Sequence, residues 1–180
     1  RLGRQHGSII RVSKDGRKLT RYASGFRAPN GIGVGPDGQV TCGDNEGSFV
    51  PAAPLNWVEP GGFYGVVDAY QKMEKLKTDP IGGYEVPQGE WRNYVKSYEN
   101  YSTGKTLDPK EMPKPLVWMS KARRVDNSGG GQVWVTSDRW GPLNDALLHL
   151  SYGRSTVSLV LKEKKKGQMQ GGVYNLGLKL

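Results

Sequence analysis

Short runs of alternating apolar and polar residues, separated by glycine-containing turns, follow one another through most of the chain. In the first third, two Asp-Gly steps lie between such runs, at Asp15-Gly16 and Asp37-Gly38. The runs that they separate are 9–12 with 18–23, and 31–34 with 39–43. Asp-Gly supplies the positive φ angles that a tight hairpin turn requires. The pattern therefore predicts two β-hairpins near the start of the chain.

The segment 67–115 has a different character. Residues 67–77 show helical spacing, with Ala69, Met73 and Leu76 on one side. A polar stretch rich in tyrosine and tryptophan follows and ends in three prolines. Long excursions from compact domains commonly serve as lids or partner contacts. We expect a long, partly helical insertion here.

The β-pattern resumes after this insertion, with predicted strands at 116–119, 132–136, 146–150, 157–161 and 172–176. Two of these segments echo earlier ones: 38–44 returns as 131–138, and 8–13 resembles 146–151. Recurring short strands mark a repeat architecture, and a four-stranded propeller blade takes ~40–50 residues. We predict an all-β chain with propeller blades in 1–66 and 116–180 on either side of the insertion.

The chain of 180 residues has a formal net charge of +9, which can attract nucleic acid, anionic lipid or acidic polysaccharide. The positive charges are scattered apart from the run 162–166, which is placed as the tip of a hairpin should be. Neither zinc-finger spacing nor an RNA-binding aromatic signature accompanies it, so we expect no nucleic-acid partner. No apolar run approaches the ~20 residues of a membrane span.

The single cysteine, Cys42, excludes an internal disulfide, a four-cysteine zinc site and covalent c-type haem. It lies within a predicted strand and has no histidine nearby in sequence, which favours a buried, inert thiol over a nucleophile. His149 alternates with Leu148 and Leu150, which predicts a structural residue on the outward face of a strand. His6, just before the first strand, is then the remaining candidate for a general base.

Polar residues follow several predicted strands. Asp44, Asn45 and Glu46 offer two carboxylates and an amide, the oxygen ligands that calcium prefers, although an Asx-turn that caps the strand explains them equally. Two further groups lie in loops: Asp126 with Asn127, and Asp138 with Arg139. The loops on one face of a propeller converge on its central channel, so these groups could meet there. Asp138-Arg139 is as readily a structural pair.

Several segments, taken in order, resemble the glucose/sorbosone dehydrogenase type of β-propeller, which includes the soluble quinoprotein sugar dehydrogenases. Within that type, the chain is most similar to the large secreted membrane-bound-dehydrogenase proteins of planctomycetes. The likeness covers most of the chain outside the insertion. The segments that carry it are 7–12, 28–38, 43–51, 55–65, 126–135, 138–143, 147–153 and 170–173.

The resemblance implies part of a six-bladed β-propeller, since a complete one needs ~250 residues or more. It also implies a periplasmic or extracellular location, a carbohydrate or small alcohol substrate, and pyrroloquinoline quinone with calcium. On this interpretation His6 is the catalytic base, and Asp44, Asn45 and Glu46 are metal ligands. The cofactor-binding candidates are Arg123, Arg124, Asp126, Asn127, Asp138 and Arg139.

Two other function classes remain open. A non-catalytic propeller could use the basic surface and the aromatic insertion to bind an acidic glycan or a protein. A calcium-dependent, lactonase-like hydrolase would require Asp, Asn or Glu ligands from at least three blades.

Overall fold

The computed structural model describes residues 7–45, 52–64, 113–121 and 123–179. Within those residues the structure is almost entirely antiparallel β, which confirms the all-β prediction, and no helix is long and apolar enough to cross a membrane. The strands are β1 (Ser8–Val12), β2 (Leu19–Ser24), β3 (Pro29–Val34), β4 (Val40–Asp44), β5 (Ala52–Val58), β6 (Val117–Ser120), β7 (Gly129–Trp134), β8 (Leu147–Ser151), β9 (Thr156–Lys165) and β10 (Gln168–Lys179). A short 3-10 helix spans Asp138–Leu143.

The chain divides into two compact units. Unit 1 comprises Arg1–Ala28 and Glu59–Pro113 and contains the two-stranded sheet β1-β2. Unit 2 comprises Pro29–Val58 and Lys114–Leu180 and contains two four-stranded sheets, ordered β3-β4-β5-β6 and β10-β9-β8-β7. The predicted helix at 67–77, like most of the insertion, lies outside the described residues. The domain limits and the number of blades stay predictions.

The hairpins predicted from Asp-Gly are confirmed. In the β1–β2 turn, Asp15 accepts hydrogen bonds from the Ser13 hydroxyl at 2.5 Å and from the backbone N–H of Arg17 at 3.1 Å. Gly16 and Gly38 adopt φ angles of 72° and 77°, the left-handed conformation that the turns need. The basic run 162–166 also lies at a hairpin tip, since β9 ends at Lys165 and β10 begins after Lys166-Gly167.

Unit 1 closes around aromatic side chains from the loop that follows β5. Phe26 stacks on Tyr64 with ring centroids 4.6 Å apart, and Phe63 forms a parallel bridge with Ser24. A Cβ on Gly25 would lie 2.7 Å from the Phe63 ring, so only glycine leaves room for this ring at the end of β2. The loop thereby extends the β1-β2 sheet.

The two sheets of unit 2 meet along a seam of alternating glycines on β3. A Cβ on Gly31 would overlap the carbonyl oxygen of Gly130, and one on Gly33 would lie 3.1 Å from the Gln132 Cβ. Just beyond β3, a Cβ on Gly35 would lie 3.1 Å from the Trp134 ring. Since alternate residues of a strand share one face, these three glycines together let the β7 backbone approach β3 closely.

Apolar side chains fill the space between the same two sheets. The buried cluster takes members from both sheets and consists of Ala53, Leu55, Leu116, Met119, Leu147 and Val160. Trp134 packs at its edge, donates its indole N–H to the Thr41 hydroxyl at 3.2 Å and meets the Trp57 ring edge-on. A second cluster, centred on Leu148 and Val157, covers the opposite face of the β7–β10 sheet.

Strand β5 was not predicted separately, and Pro54 lies inside it. Proline normally argues against an interior strand. Here β5 pairs with β4 only between Leu55 and Val58, while its first half, including Pro54, pairs with β6. Pro54 thus lies beyond the end of the β4 ladder.

The echo between 38–44 and 131–138 does not relate equivalent strands. The first copy contains β4, an interior strand of its sheet, and the second contains β7, an edge strand. Likewise β1 belongs to a two-stranded sheet, whereas β8 is an interior strand of a four-stranded one. The similar sequences therefore reflect common strand and turn chemistry, and they do not mark equivalent strands of two repeats.

The glycine seam can be tested with one substitution and a control from the facing strand. Gly31→Ala places a methyl group against the Gly130 carbonyl at a φ of 77°, so we expect a loss of roughly 2–4 kcal/mol in unfolding free energy. Gly131→Ala points into open space and should change stability by less than about 1 kcal/mol. Urea denaturation of both variants measures the difference, and equal losses would contradict the seam.

Candidate functional site

Asp126, just before β7, is fully buried and surrounded by donors. One carboxylate oxygen, Oδ1, accepts the backbone N–H groups of Asn127 at 2.7 Å and Ser128 at 3.0 Å, and the Ser151 hydroxyl at 2.5 Å. The other, Oδ2, lies 2.7 Å from the His149 Nε2. Every bond comes from the protein itself, so this carboxylate anchors the loop that leads into β7.

His149 is only 1% exposed, so the prediction that it faces outward from its strand is wrong. The physical reason is that β8 is an interior strand with an apolar cluster against each face, around Leu147 on one side and Leu148 on the other. Neither side of such a strand meets solvent, so a polar residue there needs buried partners. Arg11, its counterpart in the sequence echo, is exposed on β1.

Gln132 joins this group to the other sheet of unit 2. Its Oε1 accepts the backbone N–H of Gly43 at 3.2 Å, and its Nε2 donates to the carbonyl of Gly130 at 3.0 Å. The same Nε2 lies 3.4 Å from the His149 Nδ1. Gln132 was not among the predicted site residues. The sequence signal for it is a single amide side chain between Gly131 and Val133, at an inward-facing position of a strand.

The pKa of Asp126 reflects these contacts. Burial by itself would raise the pKa of this carboxyl group. Hydrogen bonds from His149 and Ser151, the attraction of the imidazole and the Ser128 N–H outweigh burial and hold the pKa below its ordinary value of 3.8. Asp126 is therefore ionised at neutral pH.

The Asp44-Asn45 turn lies at the same edge of unit 2 as Asp126. Asp44 is 2% exposed, and its Oδ1 accepts the backbone N–H of Asn45 at 2.9 Å. Asn45 in turn accepts a hydrogen bond from the Ser128 hydroxyl at 3.5 Å, which links the end of β4 to the loop before β7. Asp44 thus bonds the backbone of the residue that follows it, and the choice between an Asx-turn and a metal ligand stays open. Glu46 and His6 lie outside the described residues.

Asn127 also lies at this edge of the sheet. Its Oδ1 is buried and has no hydrogen-bond partner, and a Cβ on Gly153 would overlap it. The glycine at position 153 therefore makes room for the Asn127 amide.

The four remaining predicted site residues are exposed. Arg123 and Arg124 occupy an exposed turn after β6. Asp138 and Arg139 begin the exposed 3-10 helix that follows β7, whereas Asp126 precedes β7. A six-residue strand places its two ends roughly 17 Å apart. The structure therefore brings Asp44, Asn45, Asp126 and Asn127 to one edge of unit 2 and leaves Asp138 and Arg139 at the other.

Cys42 is fully buried. Burial, followed by the nearby carboxylate of Asp44, raises the pKa of its thiol to about 12. The burial confirms the prediction that Cys42 is a buried thiol, and the raised pKa disfavours the thiolate at neutral pH.

The described residues do not form a calcium centre by themselves. Calcium takes 6–8 oxygen ligands. Within the described ranges, no group of three or more His, Cys, Asp or Glu side chains is placed to hold a metal. The hydrogen bonds to Asp126 already engage both of its oxygens, and the Oδ1 of Asn127 is buried.

The fold of the chain is similar to that of solved β-propeller dehydrogenases. One is the aldose sugar dehydrogenase of Streptomyces coelicolor in its PQQ-bound form (TM-score 0.52, 12% identity, 94% of this chain and 39% of that one). Another is the soluble aldose sugar dehydrogenase of Escherichia coli in the apo-form (TM-score 0.54, 12% identity, 95% of this chain and 45% of that one). A third is a glucose dehydrogenase (TM-score 0.55, 15% identity, 95% of this chain and 45% of that one).

The chain thus spans less than half of the length of each of these three structures. No family model matches the sequence, and no curated protein matches it. At this level of identity the likeness establishes the fold.

The role of Asp126 can be tested by the pH dependence of stability. Asp126→Asn replaces the oxygen facing His149 with an amide, and we expect a loss of about 2–3 kcal/mol at pH 7. The folded pKa lies below 3.8, so the stabilisation is complete above that pH and is lost as pH falls further. The difference between wild type and variant should therefore shrink below pH ~4.

Urea titrations at several pH values provide the measurement. Asp37→Asn, in the exposed β3–β4 turn, is the matched control and should match wild type at every pH. A constant difference between wild type and Asp126→Asn down to pH 2 would contradict the assignment.

Proposed function

We propose that this chain is part of a six-bladed propeller oxidoreductase that acts on a sugar or related alcohol with pyrroloquinoline quinone and calcium. The observation that carries the proposal is the likeness of fold to sugar and glucose dehydrogenases over 94–95% of the chain. A periplasmic or extracellular location and kinship with the planctomycete proteins are parts of the same proposal.

In this proposal the described strands act mainly as a scaffold. In this proposal a ligand would lie on the edge of unit 2 that carries Asp44, Asn45 and Asn127, because the structure brings these candidate residues together there. Calcium would need further oxygens from residues outside the described part, Glu46 among them. His6 remains the candidate base. The quinone would supply the redox chemistry when bound.

Reconstitution with the quinone and calcium, followed by dye reduction on a panel of aldoses and sugar alcohols, tests the activity. Binding of the quinone, followed by its absorbance, tests the arginines separately. The quinone carries carboxylates, so the double variant Arg123→Gln/Arg124→Gln should weaken binding by about tenfold or more. The double variant Arg11→Gln/Arg17→Gln removes the same charge from the exposed β1–β2 hairpin and should bind as wild type does.

Two results would count against the proposal. If the protein takes up no quinone and reduces no dye with any sugar, the oxidoreductase proposal is rejected. Equal loss of binding in both double variants would show that net charge alone holds the quinone.

A second candidate function rests on the exposed basic hairpin tip. Lys162, Lys164, Lys165 and Lys166 are all exposed there, and Tyr174 on β10 is 64% exposed. This combination suits a non-catalytic module that binds an acidic glycan or an acidic protein surface.

Salt dependence distinguishes this second function. Affinity for a sulfated or uronic-acid polysaccharide should fall steeply between 50 and 300 mM salt, because exposed charges are screened. Lys164→Gln/Lys165→Gln should lower affinity several-fold, whereas Lys14→Gln/Lys18→Gln, on the other exposed hairpin, should not. Affinity that is independent of salt would rule the module out.

A further inference from the structure

Three cross-strand pairs share one face of the β9–β10 hairpin. They are Leu159 with Tyr174, Leu161 with Gly172, and Glu163 with Gln170. Leu159 packs beside the second apolar cluster, whereas Met169 and Val173 pack against the cluster between the two sheets. The three pairs therefore lie on the face that points away from the β3–β6 sheet, the outer face of the hairpin. Strand β8 pairs with β9 only as far as Val160, so the end of the hairpin projects beyond it.

A glycine lies in the middle of this outer face. Its neighbour Gly171 has a structural reason, because a Cβ there would overlap the carbonyl oxygen of Leu161. At Gly172 a Cβ would meet no heavy atom within 4 Å, and the φ angle is not positive. Glycine weakens a strand and often marks a place where a ligand approaches the backbone closely. Nothing in the described residues requires a glycine at 172, and its missing side chain leaves open space over the strand.

That space is a depression of about 440 Å³, lined by Leu161, Lys162, Glu163, Gln170, Gly171 and Gly172. Its volume is within the range of small-molecule sites, roughly 300–1,000 Å³. Leu161 is 54% exposed and gives the depression an apolar wall. Tyr174 is 64% exposed and lies two residues along β10 from Gly172, roughly 7 Å away. An aliphatic side chain and an aromatic ring are thus both exposed beside the open backbone.

Gln170 and Glu163 form the polar end of the depression. The Gln170 Nε2 donates to the Glu163 Oε1 at 2.5 Å, which holds the two side chains together. The pair then has one amide N–H left to donate, and the Gln170 Oε1 and the Glu163 Oε2 left to accept. Neighbouring hydroxyls of a sugar ring each donate and accept, so they match this mixture of groups.

We propose that the outer face of the β9–β10 hairpin is a binding site for a neutral glycan. A sugar ring combines an apolar C–H face with a rim of hydroxyls, and the depression offers a partner for each. The C–H face of a ring over Gly172 would pack against Leu161, and the next ring along β10 would stack on Tyr174. The hydroxyls of the first ring would bind the Glu163–Gln170 pair.

The charges around the depression favour a neutral glycan over an acidic one. The carboxylate of Glu163 would repel an anionic group at the polar end. Lys162 and Lys164 alternate with Glu163 and so lie on the opposite face, where the Lys162 Nζ is 5.0 Å from the Trp134 ring centroid. Lys165 shares the outer face but lies next to the turn. This site therefore differs from the basic hairpin tip, and it does not depend on the oxidoreductase proposal.

Titration of the intact chain with neutral gluco-, manno- and xylo-oligosaccharides, followed by nitrogen-15 NMR, tests the site. With at least one of these series we expect the backbone amide signals of 161–163 and 170–174 to shift. The affinity should be the same at ~50 and ~300 mM salt, because the ligand has no charge to be screened. Shifts confined to other parts of the chain, or no shifts at millimolar sugar, would overturn the proposal.

Gly172→Val fills the depression without a clash, and valine suits a strand. The variant should therefore stay folded and reduce dye as wild type does, while its affinity for the oligosaccharide falls about tenfold or more. Tyr174→Ala should weaken binding several-fold, because it removes the aromatic surface. Tyr152→Ala is the matched control: it removes an 80% exposed tyrosine from the β8–β9 turn and should bind as wild type does.

Three results with these variants would overturn the site. The first is wild-type affinity in Gly172→Val, and the second is an equal loss in the two tyrosine variants. The third is a salt-sensitive affinity that Lys164→Gln/Lys165→Gln abolishes, since it would assign sugar binding to the basic tip. Loss of dye reduction in any of them would concern the oxidoreductase and is measured separately from binding.

Discussion

The close approach of β3 and β7 is the constraint on which the rest of unit 2 depends. Two sheets normally pack about 10 Å apart, with side chains between them. Here Gly31, Gly33 and Gly35 remove those side chains along one face, and the strands come close enough for Asn30 to donate to the Gly129 carbonyl at 2.7 Å. The apolar cluster then fills only the part of the interface that lies beyond this seam.

The close contact of the two backbones leaves a backbone N–H group, that of Gly43, without a partner in its own sheet. This explains the buried, hydrogen-bonded side chains beside it, Gln132, His149 and Asp126. Gly43 lies opposite Asn30, where the β3–β4 register shifts, and its N–H is satisfied from the other sheet. Gln132 can reach it only because Gly43 itself has no side chain: a Cβ there would lie 2.8 Å from the Gln132 Nε2. Satisfying one displaced backbone donor thus requires an amide, and the amide in turn requires an imidazole and a carboxylate behind it.

Local chemistry made much of the fold predictable. Asp-Gly turns and alternating runs fix both early hairpins and the basic hairpin tip, because their signals lie within a few residues. His149 was assigned to the wrong face, since alternation assumes one wet side and β8 has none. Strand β5 was not predicted separately, and its Pro54 is accommodated because it lies where the β4 ladder has ended. Gln132 was missed because its partners are fixed by the long-range contact of two sheets.

The distinction between local signals and long-range contacts applies to the candidate site as well. Of the candidates in the described part, those that the structure brings together lie at a single strand edge, because β4 ends where β7 begins. There the carboxylate of Asp126 is fully engaged by the protein, and the amide oxygen of Asn127 is buried. A site with so few free groups cannot hold a divalent cation alone. Any cofactor bound at this edge must therefore draw most of its contacts from other segments of the protein.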